Sequence, residues 1–458
     1  MIQSTAPRAN PTRKRVKAKR QPVSFTLIIT AGYFLLLAML GGGVVEWSPA
    51  YMTLSAATLI AAFTIAWVDG GRALCDVPLL GRLALAGIVL LPLLQLVPLP
   101  PALWHAAPGQ EVRIQTLGLV GLADTWQVLS LSPFDTATAA LMAAGFVVSM
   151  AAVMRLDDAG FVRLLDIAVG VVAVGMLLGV LQVLSDGQFP RFHAVNTGAT
   201  LLGFYANKNH MGLIIACMIV LFGLVVGRRY LVARARGPVI GIISLFAFIC
   251  IIPTNSRAGL AFGAIALLVV FADLTKRVPS RYRIAALVGT GLLAVLLMSS
   301  TNVQLAMQRF NDVDDDLRWR ILEWSKPLAE RYYLLGAGGG TFVPIFNANE
   351  HLSWVKPTYV NAAHNDYMQL VIEFGIPGLV VLALLALSVL QCIRPMLSLP
   401  RHSPHRWEMR FGMIVIAMFA IHSLIDYPLR RPAGWAFFVL ALAALYRGRA
   451  SQDNVSLK

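Results

Sequence analysis

Long apolar runs separated by short polar breaks dominate this chain. The runs occupy residues 24–43, 48–68, 83–100, 137–154, 164–184, 209–227, 238–253, 258–272, 284–300, 367–392, 411–426 and 433–446. A helix rises about 1.5 Å per residue, so most of these runs match a hydrocarbon core about 30 Å thick. Lipid offers no hydrogen bonds to the backbone, and unbroken apolar runs satisfy it only as helices. The pattern predicts an all-α polytopic membrane protein with about twelve transmembrane helices. The seventh and eighth runs are joined by the tight turn Pro253–Arg257, and the last two by Tyr427–Pro432.

One polar interval breaks the pattern, the loop 301–366. Within it Leu317, Ile321, Trp324 and Leu328 recur with the period of a helix. That predicts a loop helix over Leu317–Tyr333. Asp312, Asp314, Asp315 and Asp316 precede it, where acids favour a helix N-terminus. A glycine run, Gly336–Gly340, follows and predicts a closely packed turn. The interval closes on His364-Asn365-Asp366, with Asn365 and Asp366 suited to cap the next helix.

Composition agrees with the membrane reading: 57% of residues are apolar, 13% are charged, and the mean hydropathy is +0.70. The net charge of +15 points away from nucleic acid once its distribution is considered. With the N-terminus inside, 26 of the 38 Lys and Arg residues fall in inside segments. Both termini are then cytoplasmic. A basic tail spans 1–22, the transmembrane domain 23–446, and a second tail 447–458. Segments 101–136, 185–208 and 301–366 are placed outside. Cys75, Cys217, Cys250 and Cys392 lack metal-type spacing, so neither a disulfide framework nor a zinc site is expected.

Basic residues on the outside run against the charge rule and call for a reason. Lys208 sits at the outer end of the sixth run, Arg257 sits in an outer turn, and Arg318 and Arg320 begin the loop helix. An anionic ligand at the membrane surface is one reason, since arginine grips phosphate with a planar fork. Interfacial snorkelling, or pairing with the acidic cluster, is another. His364 can take a proton from a hydroxyl near neutral pH, or simply cap its helix. Glu373 is an intramembrane carboxylate, either functional or bonded to the break at Gly375-Ile376-Pro377-Gly378. His105, His193, His210, His351 and His422 read as structural. The acidic cluster lacks a paired distant ligand, so no metal is assigned.

Four ordered stretches resemble the O-antigen ligase and O-antigen polymerase family of bacterial envelope glycosyltransferases. They are Gly203–His210, Ser256-Arg257-Ala258-Gly259, Arg320 and Trp324 with Leu335–Gly338, and His364–Tyr367 with Gln369, Glu373, Gly375 and Gly378. The likeness covers roughly residues 200–390. It implies an inner-membrane enzyme without metal or cofactor. Such an enzyme moves a glycan from undecaprenyl diphosphate to an acceptor hydroxyl at the periplasmic face, and loop 301–366 would be periplasmic. The acceptor would be the lipid A–core saccharide for a ligase or another repeat unit for a polymerase. The family's functional histidine and arginines map onto His364, Arg257 and Arg320, with Arg318, Lys208 and Asn365 as substrate-binding neighbours. Tyr205-Ala206 departs from the family's spacing, so Asn207 receives no catalytic role. From another class, a transporter or flippase of lipid-linked glycans is the alternative; internal repeats and midplane charges would favour it, and neither is evident.

Overall fold

The computed structural model describes residues 24–43, 48–69, 74–193, 198–276, 279, 281, 317–351 and 360–456. The basic tail 1–22, the apolar run 284–300 and the acidic cluster Asp312–Asp316 lie outside the described residues.

The first half of the chain contains α1 (Phe25–Leu40), α2 (Pro49–Asp69), α3 (Leu79–Leu94), α4 (Pro101–His105), α5 (Glu111–Leu119), α6 (Pro133–Met154) and α7 (Asp158–Leu184). Next come α8 (Lys208–Leu221), a π-helical turn (Phe222–Val226), α9 (Gly227–Tyr230), α10 (Ala233–Ile251) and α11 (Arg257–Leu274). The loop elements are α12 (Leu317–Tyr332) and α13 (Phe342–Asn349), followed by α14 (Asp366–Leu390), α15 (Ile393–Ser398), α16 (Pro404–His422) and α17 (Pro432–Ser456). Polar side chains set several starts. Ser24 caps α1, Asp157 caps α7 and Asn365 caps α14, each accepting a backbone N–H from the first turn.

Every apolar run within the described residues coincides with a helix. Among the described residues, seven helices are long and apolar enough to cross a membrane: α2, α6, α7, α8 through α9, α10, α11 and α14 with its extension. Helices α1 and α3 are shorter but apolar. Two boundaries differ from the hydropathy reading. The run 83–100 stops being helical at Leu94, because Pro98, Pro100 and Pro101 cannot continue it. Pro98–Leu99 (β1) instead pairs antiparallel with Gln127–Val128 (β2). The run 411–426 ends at His422, and residues 423–426 form a turn.

The centre of the bundle is built from α8 and α17. Both are apolar on all faces, the composition of a helix surrounded by others. Residues Asn209–Leu221 of α8 and Ala433, Trp435–Tyr446 of α17 are buried. The starts of α8 and α11 cross closely: a Cβ on Gly212 would lie 2.8 Å from the Gly259 Cα. A smaller apolar cluster, including Ile321, Leu328, Tyr332, Phe342, Phe346 and Ile372, packs α12 and α13 over the start of α14.

The glycine run interlocks with a break in α14. Gly375 adopts φ 57°, ψ −149°, which interrupts the helix. The freed Glu373 carbonyl accepts from Gly338 N at 3.1 Å and from Gln95 Nε2 at 2.8 Å. Gly336 has φ +78°, and a Cβ there would lie 2.2 Å from the Glu373 carbonyl oxygen. Only glycine fits, so the predicted close turn is present and its partner is the α14 break.

Candidate functional site

The capping residues of α8 and α11 begin a hydrogen-bonded chain that ends on Asp426. Asn207 caps α8 by accepting from Asn209 N at 2.8 Å. Ser256 caps α11, accepting from Gly259 N at 2.9 Å, and donates to Asn209 Oδ1 at 2.9 Å. The Asn209 amide donates to Asp426 Oδ2 at 2.7 Å. Asn207 Nδ2 lies 3.4 Å from both carboxylate oxygens, and the Tyr427 backbone N–H donates to Oδ1 at 3.0 Å. The small amides and hydroxyl fit because the Gly212–Gly259 crossing brings the two helix starts together.

Three imidazoles and one guanidinium surround the same carboxylate. His364 Nδ1 lies 3.5 Å from Asp426 Oδ1, His210 Nε2 3.7 Å from Oδ1, and His422 Nε2 3.9 Å from Oδ2. Arg318 Nη2 approaches Oδ2 at 4.0 Å. Asp426 and His422 are fully buried, whereas the His364 side chain keeps 19% exposure and Arg318 32%. Accessible groups therefore flank a buried anion. Tyr427 packs edge-on against both His364 and His210, with ring centroids 5.1 and 5.2 Å apart. Burial pushes the Asp426 carboxyl up, but the His210 and His364 rings more than offset this and hold it well below the usual carboxylate range.

His364 itself has φ 50°, the left-handed region that a non-glycine residue rarely adopts. Its neighbours fix it there. Asn365 Oδ1 accepts from Met368 N at 2.9 Å, and its Nδ2 donates to the Leu424 carbonyl at 3.0 Å. Both ends of the Asn365 amide thus serve backbone partners. Asp366 accepts from Ser423 Oγ at 2.8 Å and its N–H donates to the Ser423 carbonyl. Arg430 spans Asp366, at 3.2 Å, and Glu373, at 2.8 Å. Gln369 joins Glu373 Oε1 to the Ala363 N–H. The carboxylate of Glu373 is therefore committed to Arg430 and Gln369, while its backbone carbonyl meets the glycine run.

Of the residues singled out in the sequence, His364 and Arg318 meet at Asp426. Lys208 and Arg257 are exposed first residues of α8 and α11, whose capping side chains belong to the Asp426 network. Arg320 is also exposed; the two-residue step from Arg318 turns it by about 200° around α12. Sequence reasoning did not single out Asp426. It also grouped His210 and His422 with structural histidines, whereas both face the same carboxylate as His364. A usable signal existed, since a carboxylate at the end of an apolar run is a functional candidate by default. Among the described residues, no group of three or more His, Cys, Asp or Glu side chains is arranged to hold a metal ion.

Residues 241–383 match the family model described as O-antigen ligase. The matched stretch contains Arg257, Arg318, Arg320 and His364. The resemblance drawn from the four motifs is thereby supported over that stretch. No curated protein matches the chain.

Proposed function

We propose that this chain, which carries an O-antigen ligase family region across residues 241–383, transfers a glycan from undecaprenyl diphosphate to an acceptor hydroxyl at the outer face of the bacterial inner membrane. The observation that carries the reading is the meeting of His364 and Arg318 on the buried Asp426. In this reading the chain is multi-pass, with about twelve spans and both termini cytoplasmic, and the acceptor is the lipid A–core saccharide.

The donor's anomeric carbon is bonded to diphosphate, so negative charge grows on the leaving group as that bond breaks. Arg257, Arg318, Arg320 and Lys208 supply positive charge, and the starts of α8 and α11 add their partial charges. Asp426 lies beside His364 Nδ1, which favours the tautomer with its proton on that nitrogen. Nε2 is then free to take the proton from the attacking hydroxyl. When His364 becomes positive, the ionised Asp426 stabilises it. Attack opposite the diphosphate inverts the anomeric centre. No metal ion and no nucleotide enters this reading, because the donor is already activated.

Deleting the gene and resolving the surface glycans on a gel tests the assignment. Loss of long glycan from the lipid A–core, with lipid-linked polymer intact, is the expected result. Loss of the polymer itself, with single repeats still attached, would identify a polymerase instead. Unaltered glycans would reject both.

A further inference from the structure

The end of the bundle remote from His364 holds a second charged cluster, which glycan transfer does not use. Helices α8, α11 and α16 each run between the two clusters. At the remote end the Asp273 carboxylate is nearly buried, at 7% exposure. It contacts three cations: Arg228, Lys276 and, at 2.8 Å, Arg410. Beside it, Glu408 lies 3.3 Å from both Arg229 and His405, and Arg229 also approaches Asp166 at 3.8 Å. The Arg228 guanidinium stands over the Trp407 ring, 5.1 Å from its centre.

The local charges do not balance. Arg401 and Arg406 act on Lys276, and Arg236 acts on Arg228, in addition to the direct pairs. Among the described residues, seven Lys and Arg side chains thus pair with or act around Asp166, Asp273 and Glu408. Burial first, and then the neighbouring arginines, push the Lys276 ammonium below its ordinary range. Arg228 Nε, Arg229 Nη1 and Arg236 Nε are buried N–H groups without a hydrogen-bond partner among the described residues, as are the acceptors Asp166 Oδ1 and Asp273 Oδ2. The π-helical turn Phe222–Val226 lies immediately before Arg228 and Arg229 and resets the direction in which they leave the helix. Membrane orientation alone needs basic residues near the surface. It does not need them converged on one buried carboxylate with N–H groups left over.

We propose that this cluster binds a phosphodiester anion, the headgroup of an anionic phospholipid in the leaflet at that end. Arg228, Arg410 and Lys276 provide the phosphate contacts. Tyr230, Val232 and Leu397 are exposed apolar groups at the same end and border the acyl chains. Arginine pairs between spans suit such headgroups because the guanidinium fork matches phosphate oxygens.

The test is native mass spectrometry of the purified full chain with phosphatidylglycerol or phosphatidylcholine, paired with thermal unfolding in the same lipids. Phosphatidylglycerol should be retained in preference, and Arg228→Gln and Arg410→Gln should each weaken retention about tenfold or more. Arg82→Gln, a basic residue on α3, should leave it unchanged. Arg410→Gln leaves Asp273 paired with Arg228 and Lys276, so it carries the test if Arg228→Gln does not fold. Equal retention of the two lipids, or an equal loss in Arg82→Gln, would overturn the site. Stabilisation by inorganic phosphate alone to the same extent would overturn the lipid assignment.

Discussion

At His364 the proposed chemistry rests on two local features, a left-handed backbone and a buried carboxylate 3.5 Å from Nδ1. Asparagine tolerates the same backbone region, so His364→Asn removes the imidazole with little strain. The expected outcome is a loss of about 10²–10⁴ in transfer rate, read in a reconstituted assay, from a protein that still unfolds cooperatively on heating. Arg320→Ala should cost about 10²–10³ in rate if it meets the leaving diphosphate. The depressed Asp426 carboxyl has a signed consequence for stability. A group held below its unfolded value stabilises the fold above that unfolded value, about pH 3.9, and loses this as pH falls through the folded value. Asp426→Asn should therefore destabilise the protein in thermal unfolding above about pH 4, and that cost should shrink as pH falls through the folded value of the carboxyl. His364 and Arg318 were legible as motif residues because their neighbours carry a local pattern. His210 lies in the first motif but read as structural; its place, like those of Asp426 and His422, arises only where α8, α14 and α16 converge.

The elements that hold His364 are as consequential as the histidine. Arg430 is the shared partner of Asp366 and Glu373, and Glu373 is fully buried. Arg430→Gln would leave buried carboxylates without their cation, a change that costs about 3–5 kcal/mol. Thermal unfolding in detergent should show that loss, together with reduced transfer as His364 leaves its position. Gly336→Ala forces a Cβ against the Glu373 carbonyl and should destabilise by at least about 1–3 kcal/mol in the same measurement. Most helices were legible from hydropathy, since an apolar run in lipid has one way to satisfy its backbone. The loop helix α12 was legible from its period. The β1–β2 pair was not, because two paired residues per strand leave no periodic trace. The Gln95 bridge between Glu373 and Gly339 was also hidden, as its partners lie in distant segments.

Across the whole molecule, charge sits at two ends of one bundle with an apolar middle between them. The Asp426 end gathers helix starts and exposed cations, and the Asp273 end gathers arginines around buried carboxylates. Which end faces outside is an expectation from where the basic residues fall relative to the spans. It makes a topological prediction. In a Cys75→Ser background, Lys326→Cys should react with a membrane-impermeant thiol reagent added outside intact cells, while Arg401→Cys should react only after permeabilisation. Cys217, Cys250 and Cys392 are buried and should stay silent. Glycan transfer from a lipid diphosphate by the His364–Asp426–Arg318 cluster is the function proposed for this protein. Its most direct test is reconstitution of the purified protein with an undecaprenyl-diphosphate-linked glycan and a saccharide acceptor, following acceptor product and released lipid diphosphate together. The expected result is equal amounts of both from the parent chain, and release of both slowed at least about a hundredfold in His364→Asn. Transfer by His364→Asn at the parent rate would contradict it.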